Sequence, residues 1–239
     1  MNWKDVFPTN NRYFETENGI LYCGDCIEII SKLPHETIDA IITDPPYLIN
    51  YRTNRRKNKT HQFCKPIHND NNQQIIEQFI KYSYLILKNN SPLYCFASWK
   101  TEDIFLKLMR NYKFNIKNQI VWVKNNWTAG DLEAQYGQQY EIILYANKGR
   151  CKLKGKRHSD VWYFKRVNGK NQKHQNQKPI ELMEFIINNS TNENNIIIDP
   201  FTGSGSTLLA AEKLKRRWIG IELSEEYCEI AKQRILGEV

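Results

Sequence analysis

The chain has 239 residues, 41% of them hydrophobic and 25% charged, enough for one large domain, 1–239, with a substantial core. No apolar run approaches the roughly 20 residues that span a bilayer, and the opening MNWKDVFPTNNRYFE has no signal-like apolar stretch, so a soluble, cytoplasmic protein without a membrane partner is expected. The net charge of +8 is concentrated: six Lys/Arg and no acid lie between Arg52 and Lys65, ten Lys/Arg and one acid between Lys148 and Lys173, and the remainder holds 18 basic against 25 acidic residues.

In chain order, GILYC (19–23) reads as a strand ending at Gly24-Asp25, and CIEIISKL (26–33) as a helix stopped by Pro34. The C-x-x-C pair Cys23 and Cys26 has no second pair and no following H-x-x-x-H, so partly buried thiols are expected and no metal site. IDAIIT (38–43) is a short apolar run of the kind that forms a buried parallel strand. It ends in Asp44-Pro45-Pro46-Tyr47, either a proline turn with an Asp cap or a rigid functional corner.

The first basic segment follows, within a loop at 50–70 that is long for a structureless connection and so expected to be functional and mobile. Next come a helix at roughly 72–88, a strand PLYCFAS (92–98), and a helix TEDIFLKLMRN (101–111) with Thr101 as its N-cap. Strands QIVWVK (119–124) and YEIILYA (140–146) flank a loop at 125–139. The second basic segment interrupts the alternation. Its two readings are a solvated lysine-rich loop and a polyanion-binding surface. The aromatics Trp162, Tyr163 and Phe164 within it suit either a small local core or contact with bases.

PIELMEFIINN (179–189) reads as a helix opening on proline, NIIID (195–199) as a strand, STLLAAEKL (206–214) as a helix, RWIGIEL (217–223) as a strand, and SEEYCEIAKQRI (224–235) as a helix capped by Ser224 with Glu225 and Glu226 in its first turn. The alternation implies an α/β sheet, mostly parallel, with helices on both faces.

The stretch IIIDPFTGSGSTLLAAEKL places a glycine turn, Gly203-Ser204-Gly205, between the strand ending at Asp199 and a helix. Glycine admits close approach of a ligand, and the helix N-terminus offers free N–H groups. The lysine of a phosphate-binding loop is missing, as is the full dinucleotide spacing, so a ligand with a carboxylate and an adenosine fits better than a triphosphate. Nineteen residues past Gly203, Glu222 ends the next strand, where a ribose diol is usually held; helix N-terminal charge is its other reading.

Together these residues resemble the S-adenosyl-L-methionine-dependent amino-methyltransferases of DNA, N6-adenine and N4-cytosine. Asp44-Pro45-Pro46-Tyr47 is similar to their D-P-P-Y catalytic motif, Asp199-Pro200-Phe201-Thr202-Gly203-Ser204-Gly205 to their D-P-F-x-G-S-G cofactor motif, and His174-Gln175-Asn176-Gln177-Lys178-Pro179 to H-P-T-Q-K-P, with Gln175 and Asn176 replacing proline and threonine. Tyr140-Glu141-Ile142-Ile143-Leu144-Tyr145, with Lys148-Gly149, matches a late strand of the family. The likeness runs from about Leu21 to Ile235.

It implies a Rossmann-like methyltransferase fold with a mostly parallel seven-stranded sheet. The order of motifs, catalytic before target recognition before cofactor, implies the circularly permuted beta-type arrangement. The strand ending at Asp199 would then be first in the sheet, that ending at Asp44 fourth and adjacent, and that at Asp25 third. A small target-recognition insertion is implied at 150–173.

The resemblance also implies roles. Asp44, Pro45, Pro46 and Tyr47 would be catalytic. Asp25, Cys26, Asp44, Lys178, Pro179, Asp199, Phe201, Thr202, Gly203, Ser204, Gly205, Ser206, Thr207, Glu222 and Leu223 would hold S-adenosyl-L-methionine. Arg52, Arg55, Arg56 and Lys57, with Lys152, Lys154, Lys156, Arg157, Lys165 and Arg166, would hold double-stranded DNA. The expected activity is methylation of the N6 amine of a flipped-out adenine, Asp44 favouring adenine over the cytosine-N4 alternative; a non-catalytic cofactor-binding subunit is a further alternative. A monomer or homodimer, with a cognate restriction endonuclease as its partner, completes the expectation.

Overall fold

The computed structural model describes residues 2–49, 72–128, 131–167 and 177–238. After a short 3-10 turn at Trp3–Val6, the chain forms β1 (Arg12–Glu15), β2 (Gly19–Cys23), α1 (Cys26–Ile30), β3 (Ala40–Thr43), α2 (Gln73–Ile86), β4 (Ser91–Ala97), α3 (Glu102–Asn111), β5 (Asn115–Val123), β6 (Tyr140–Lys148), β7 (Val161–Tyr163), α4 (Ile180–Ser190), β8 (Ile196–Asp199), α5 (Ser206–Lys213), β9 (Arg217–Glu222) and α6 (Glu225–Leu236). No helix among the described residues is long and apolar enough to cross a membrane.

The strands form one sheet in the order β1-β2-β9-β8-β3-β4-β6-β5-β7. From β2 through β4 every neighbouring pair is parallel, whereas β6 runs antiparallel to both β4 and β5. The carboxyl ends of β2, β9, β8, β3, β4 and β5 therefore share one edge with the amino end of β6. Among the described residues the sheet has nine strands, not the expected seven. The two additions lie at its margins: β1 pairs antiparallel with β2 through a bulge, and β7, formed inside the second basic segment, pairs parallel with β5. Both are short, and neither carries the run of apolar residues that marks a central strand.

Side chains alternate across the sheet as a pleated strand requires. Ile41, Leu93, Cys95, Ile219 and Ile221 face α1, α2 and α3 in one core. Ala40, Ile42, Tyr94, Phe96 and Trp218 face α4, α5 and α6 in the other. Asn72 caps α2 through Gln74 N–H, and Ser224 caps α6 through Tyr227 N–H. Two local expectations change. Pro179 stands just before α4 instead of inside its first turn. Thr101 precedes α3 but makes no capping hydrogen bond, because its hydroxyl is turned to the corner after β3.

The centre of the sheet has no spare room beside Gly220. A Cβ there would lie 2.4 Å from Leu208 Cδ1 and 2.7 Å from Thr202 Oγ1, and the latter is fixed by its 2.9 Å hydrogen bond to the Asp199 carbonyl. Gly220→Ala should therefore lower stability by about 1–3 kcal/mol through overpacking, seen as a lower denaturation midpoint in urea with an unchanged slope.

Candidate active site

β3 and β8 lie side by side although their sequences are more than 150 residues apart, with Ala40 opposite Ile197 and Ile41 opposite Ile198. Just beyond this register the Thr43 hydroxyl donates to Asp199 Oδ1 at 2.8 Å. The corner at Asp44 and the glycine turn thus emerge from neighbouring strands at the same sheet edge. β9 and β2 bring Glu222 and Asp25 to that edge, since Cys23 is opposite Glu222. The sequence-predicted neighbours are brought together.

On the glycine side, Asp199 is buried. Burial pushes its carboxyl up to about 6, against the opposing effect of hydrogen bonds from Thr207, Thr43 and the Phe201 N–H. Phe201 packs edge-on against Phe79 at 5.2 Å. Gly203 N–H donates to Glu222 Oε2 at 2.8 Å, and Ser224 N–H to Oε1 at 2.9 Å. Burial raises the Glu222 pKa despite these bonds.

Gly205, at φ +77°, immediately precedes α5. Its α-carbon faces Ala231 so closely that a Cβ would lie 2.8 Å from that methyl, so both conformation and space demand glycine. Arg234 of α6 holds the turn from behind: its guanidinium donates to the Ser204 carbonyl, to Ser204 Oγ at 3.0 Å and to Ser206 Oγ at 3.4 Å. Burial pulls its pKa down to about 10, with no carboxylate acting against it among the described residues. Arg234 belongs to no motif, and its one signal in the sequence is an arginine interrupting the buried face of an amphipathic helix.

At the margin of this turn, Asp25 caps α1, accepting from Ile27 and Glu28 N–H at 2.8 and 3.0 Å. Cys26 is buried, and burial raises its thiol pKa. No cluster of three metal-ligating side chains occurs among the described residues. Leu223 is 45% exposed beside the half-buried Glu222. An apolar face, a carboxylate with lone pairs left for a diol, and a glycine turn opening a helix form a set that fits an adenosine carrying an amino-acid tail.

On the β3 side, the Asp44 carboxylate has two partners. Tyr47 Oη donates to Oδ1, and Lys178 Nζ lies 2.6 Å from Oδ2. The ammonium also approaches Tyr47 Oη at 3.3 Å, and sits 4.8 Å from the Phe96 ring centre. It lies 3.1 Å from Glu141 Oε2, whose other oxygen is 2.6 Å from Lys124 Nζ. The Tyr47 carbonyl is held by the Thr101 hydroxyl at 2.6 Å, so the corner is fastened from both ends.

Burial raises the Asp44 pKa, and Lys178 opposes it. Burial also acts to raise that of Glu141, but Lys178 and Lys124 outweigh it and hold it at about 2. Lys178 stays protonated because Asp44 and Glu141 overcome the effect of its burial. Its ammonium lies at the carboxylate of Asp44, and Glu141 and Lys124 belong to the same cluster. In the sequence Glu141 stands within the strand motif Tyr140–Tyr145, where nothing distinguishes it as a site residue.

The second basic segment is partly structural. Trp162, Phe164 and His158 surround Phe185 of α4 at ring distances of 4.9 to 5.5 Å, so two of the three aromatics form a local core. Tyr163 is 76% exposed. Lys152, Lys156, Arg157 and Lys165 are exposed, whereas the Lys154 ammonium is bound by Asn192 Oδ1, and Arg166 is half-buried, with its N–H on Asn125 Oδ1 at 3.0 Å. Arg52, Arg55, Arg56 and Lys57, the whole 50–70 loop, residues 168–173 of the insertion and His174 to Asn176 lie outside the described residues.

A protein-family model described as DNA methylase, of the N6/N4 methyltransferases, matches residues 38–233. The chain is 32% identical over 216 residues to a methylase of Escherichia coli K12, YubD, covering 89% of this chain and 88% of that protein. It is 31% identical over 251 residues to the Type II methyltransferase M2.DpnII of Streptococcus pneumoniae, covering 95% and 92%. Among solved structures, the complex of M1.HpyAVI with SAM superposes with a TM-score of 0.69 at 31% identity, covering 90% of this chain and 98% of that one. The cytosine-N4-specific PvuII DNA methyltransferase gives 0.78 over 95% and 89% at 18% identity, a likeness of fold.

The buried Asp199 has a measurable signature. Its carboxyl is raised from 3.8 to about 6, so the folded chain binds more protons than the unfolded chain between those values and loses stability as the pH rises through that window. Replacing it by asparagine removes this component. The stability difference between wild type and Asp199→Asn, from urea denaturation at pH 4 and pH 7, should change by up to about 3 kcal/mol in favour of the variant at the higher pH.

Proposed function

Since the chain belongs to the DNA methylase family of N6 and N4 amino-methyltransferases, we propose that it methylates the N6 amine of an adenine flipped out of duplex DNA, using S-adenosyl-L-methionine. The observation that carries this reading is the juxtaposition of β3 and β8 through the Thr43–Asp199 hydrogen bond, which puts the Asp44 corner and the glycine turn on one edge. The motif order along the chain is that of the permuted beta-type members. The cofactor, when bound, supplies a methyl group made electrophilic by its sulfonium. Gly203 to Thr207, Glu222 and Leu223 would hold it, and Asp25 and Cys26 would lie on its adenine side.

The adenine amine is a weak nucleophile because its lone pair is delocalised into the ring. The Asp44 carboxylate and the Pro45 carbonyl accept its two N–H bonds and localise the lone pair on nitrogen. Proline contributes no competing N–H, and its fixed φ aims both acceptors in advance. Tyr47 gives the extruded base a ring to stack on, offsetting the few kcal/mol of flipping. Positioning and electrostatics do the catalytic work, without a covalent enzyme intermediate. Aspartate at position 44, where cytosine-N4 members of the family more often have serine, favours adenine.

In this reading the exposed Lys152, Lys156, Arg157 and Lys165 hold phosphates, and the exposed side chains of the 150–173 segment, Tyr163 among them, meet bases, with the basic 50–70 segment contributing further phosphate contacts. The similarity to Type II methyltransferases supports a place in a restriction–modification system, beside an endonuclease of the same site specificity.

Incubation with DNA and methyl-labelled cofactor, followed by nucleoside analysis, should give N6-methyladenine; N4-methylcytosine would reverse the choice of base. Asp44→Ala should abolish transfer while leaving cofactor affinity within about tenfold. The triple change Lys152→Ala, Lys156→Ala, Arg157→Ala should reduce the slope of log affinity for DNA against log salt by roughly one per lost phosphate contact. Lys154→Ala should reduce it less, because that ammonium already rests on Asn192.

A further inference from the structure

The proposed reaction needs the Asp44 carboxylate to accept a hydrogen from the target amine, yet both its oxygens already have partners. The Tyr47 hydroxyl can give way by turning its hydrogen about the C–O bond, which leaves the ring where it is. Lys178 is a different matter. It is a buried ammonium, 7% exposed as a residue, and cannot be left without a counter-charge.

A second seat is already in place. Glu141 Oε2 is 3.1 Å from Lys178 Nζ, is itself buried, and makes no well-aligned hydrogen bond. The ion pair is close in distance but not in its best direction. The strand pairing fixes this position: Glu141 is the second residue of β6, opposite Trp122 of β5, and Lys124, just past the end of β5, holds its other oxygen at 2.6 Å.

We propose that Glu141 is a positioning residue, the seat to which the Lys178 ammonium withdraws when the target amine takes the carboxylate of Asp44. The cluster is a latch. With no base present, Lys178 bridges the two acids and favours the charged form of the half-buried Asp44 against the effect of burial. With the base present, Lys178 closes onto Glu141 with better alignment, and Asp44 accepts from the amine without a competing cation. Lys124 keeps Glu141 charged and fixed in both states.

The groups that face Asp44 are Tyr47 from its own corner, Lys178 from the approach to α4, Glu141 from β6, Cys95 from β4 and Asp199 from β8, with Lys124 behind Glu141. Cys95 is a thiol that burial keeps neutral. Among the described residues, the charges able to tune Asp44 near neutral pH are therefore Lys178, Glu141 and Asp199, the first two of which form the latch.

The inference rests on the methyl-transfer reading, and two measurements separate their failures. The first is the pH profile of kcat/KM for DNA. Activity falls as pH drops through the Asp44 pKa, because the protonated acid no longer accepts. Glu141→Gln removes a neighbouring negative charge and leaves Lys178 to Asp44 alone. Its plateau should fall about tenfold, while its acid limb moves down by about one pH unit. Lys178→Gln should move the acid limb the opposite way, and Glu141→Asp should return it towards wild type.

The second measurement follows the ionisation of Asp44 by NMR with 13C-labelled aspartate, without DNA or cofactor, and should show the same opposite shifts. Plain structural damage would lower the plateau and leave both limbs in place. Unmoved limbs in an active enzyme, or unmoved Asp44 titrations, would overturn the latch. A wild-type protein that transfers no methyl group while its Asp44 titration responds as described would overturn the reaction and keep the coupled cluster.

Discussion

The hydrogen bond between Thr43 and Asp199 joins two strands that the chain keeps far apart. Parallel pairing of β3 and β8 is what converts two separate corners into one site. In a parallel sheet all the carboxyl ends face one way, so polar residues that leave neighbouring strands there must meet or be solvated together. Asp199 is the point at which this arrangement is fixed. It accepts from Thr43 across the strand gap and from Phe201 within its own turn, so the shape of the glycine turn and the position of the Asp44 corner depend on one carboxylate. The cost is a buried acid with a raised pKa, which the sheet centre tolerates because it is well packed on both faces.

Each half of the site is also braced from behind by a group that takes no part in the chemistry. The glycine turn leans on α6 through the Gly205–Ala231 contact and the Arg234 guanidinium. The Asp44 corner is tied to the start of α3 through the Thr101 hydroxyl, which exchanges a capping role for a bond to the Tyr47 carbonyl. Loops that present backbone acceptors need such restraint, since a displacement of about an ångström can cost a hundredfold in rate. The glycine turn is held from α6 on one face of the sheet and by the Phe201–Phe79 contact on the other, and the Asp44 corner by α3 on one face and by Lys178, at the approach to α4, on the other.

Much of this was legible in the sequence. The central strands could be read because buried parallel strands are short unbroken apolar runs, and IDAIIT, NIIID and RWIGIEL have little else they can be. The corner and the turn could be read because proline and glycine are placed where backbone geometry leaves few substitutes. What escaped notice obeys other physics. β1 and β7 are edge strands, only half-buried, and their pattern is too brief to rise above the surrounding loop. Trp162 and Phe164 could have been base-reading or core residues until Phe185 was seen between them. Arg234 and Glu141 are polar residues whose meaning lies wholly in what they face, and no spacing rule brings position 141 to position 178.

The charged cluster at the site is poor value as a stabilising device. Four ionisable groups, Asp44, Glu141, Lys178 and Lys124, are held together where water is scarce, and buried ion pairs of this kind commonly contribute no more than apolar residues of the same volume. Their arrangement is also asymmetric. Glu141 is held by two lysines at about 2 and cannot lose its charge in ordinary conditions, while Asp44 has one lysine and a raised pKa. One acid fixed in the charged state beside another left tunable is the arrangement expected where the second must exchange its partner during the reaction and the first must absorb the consequence.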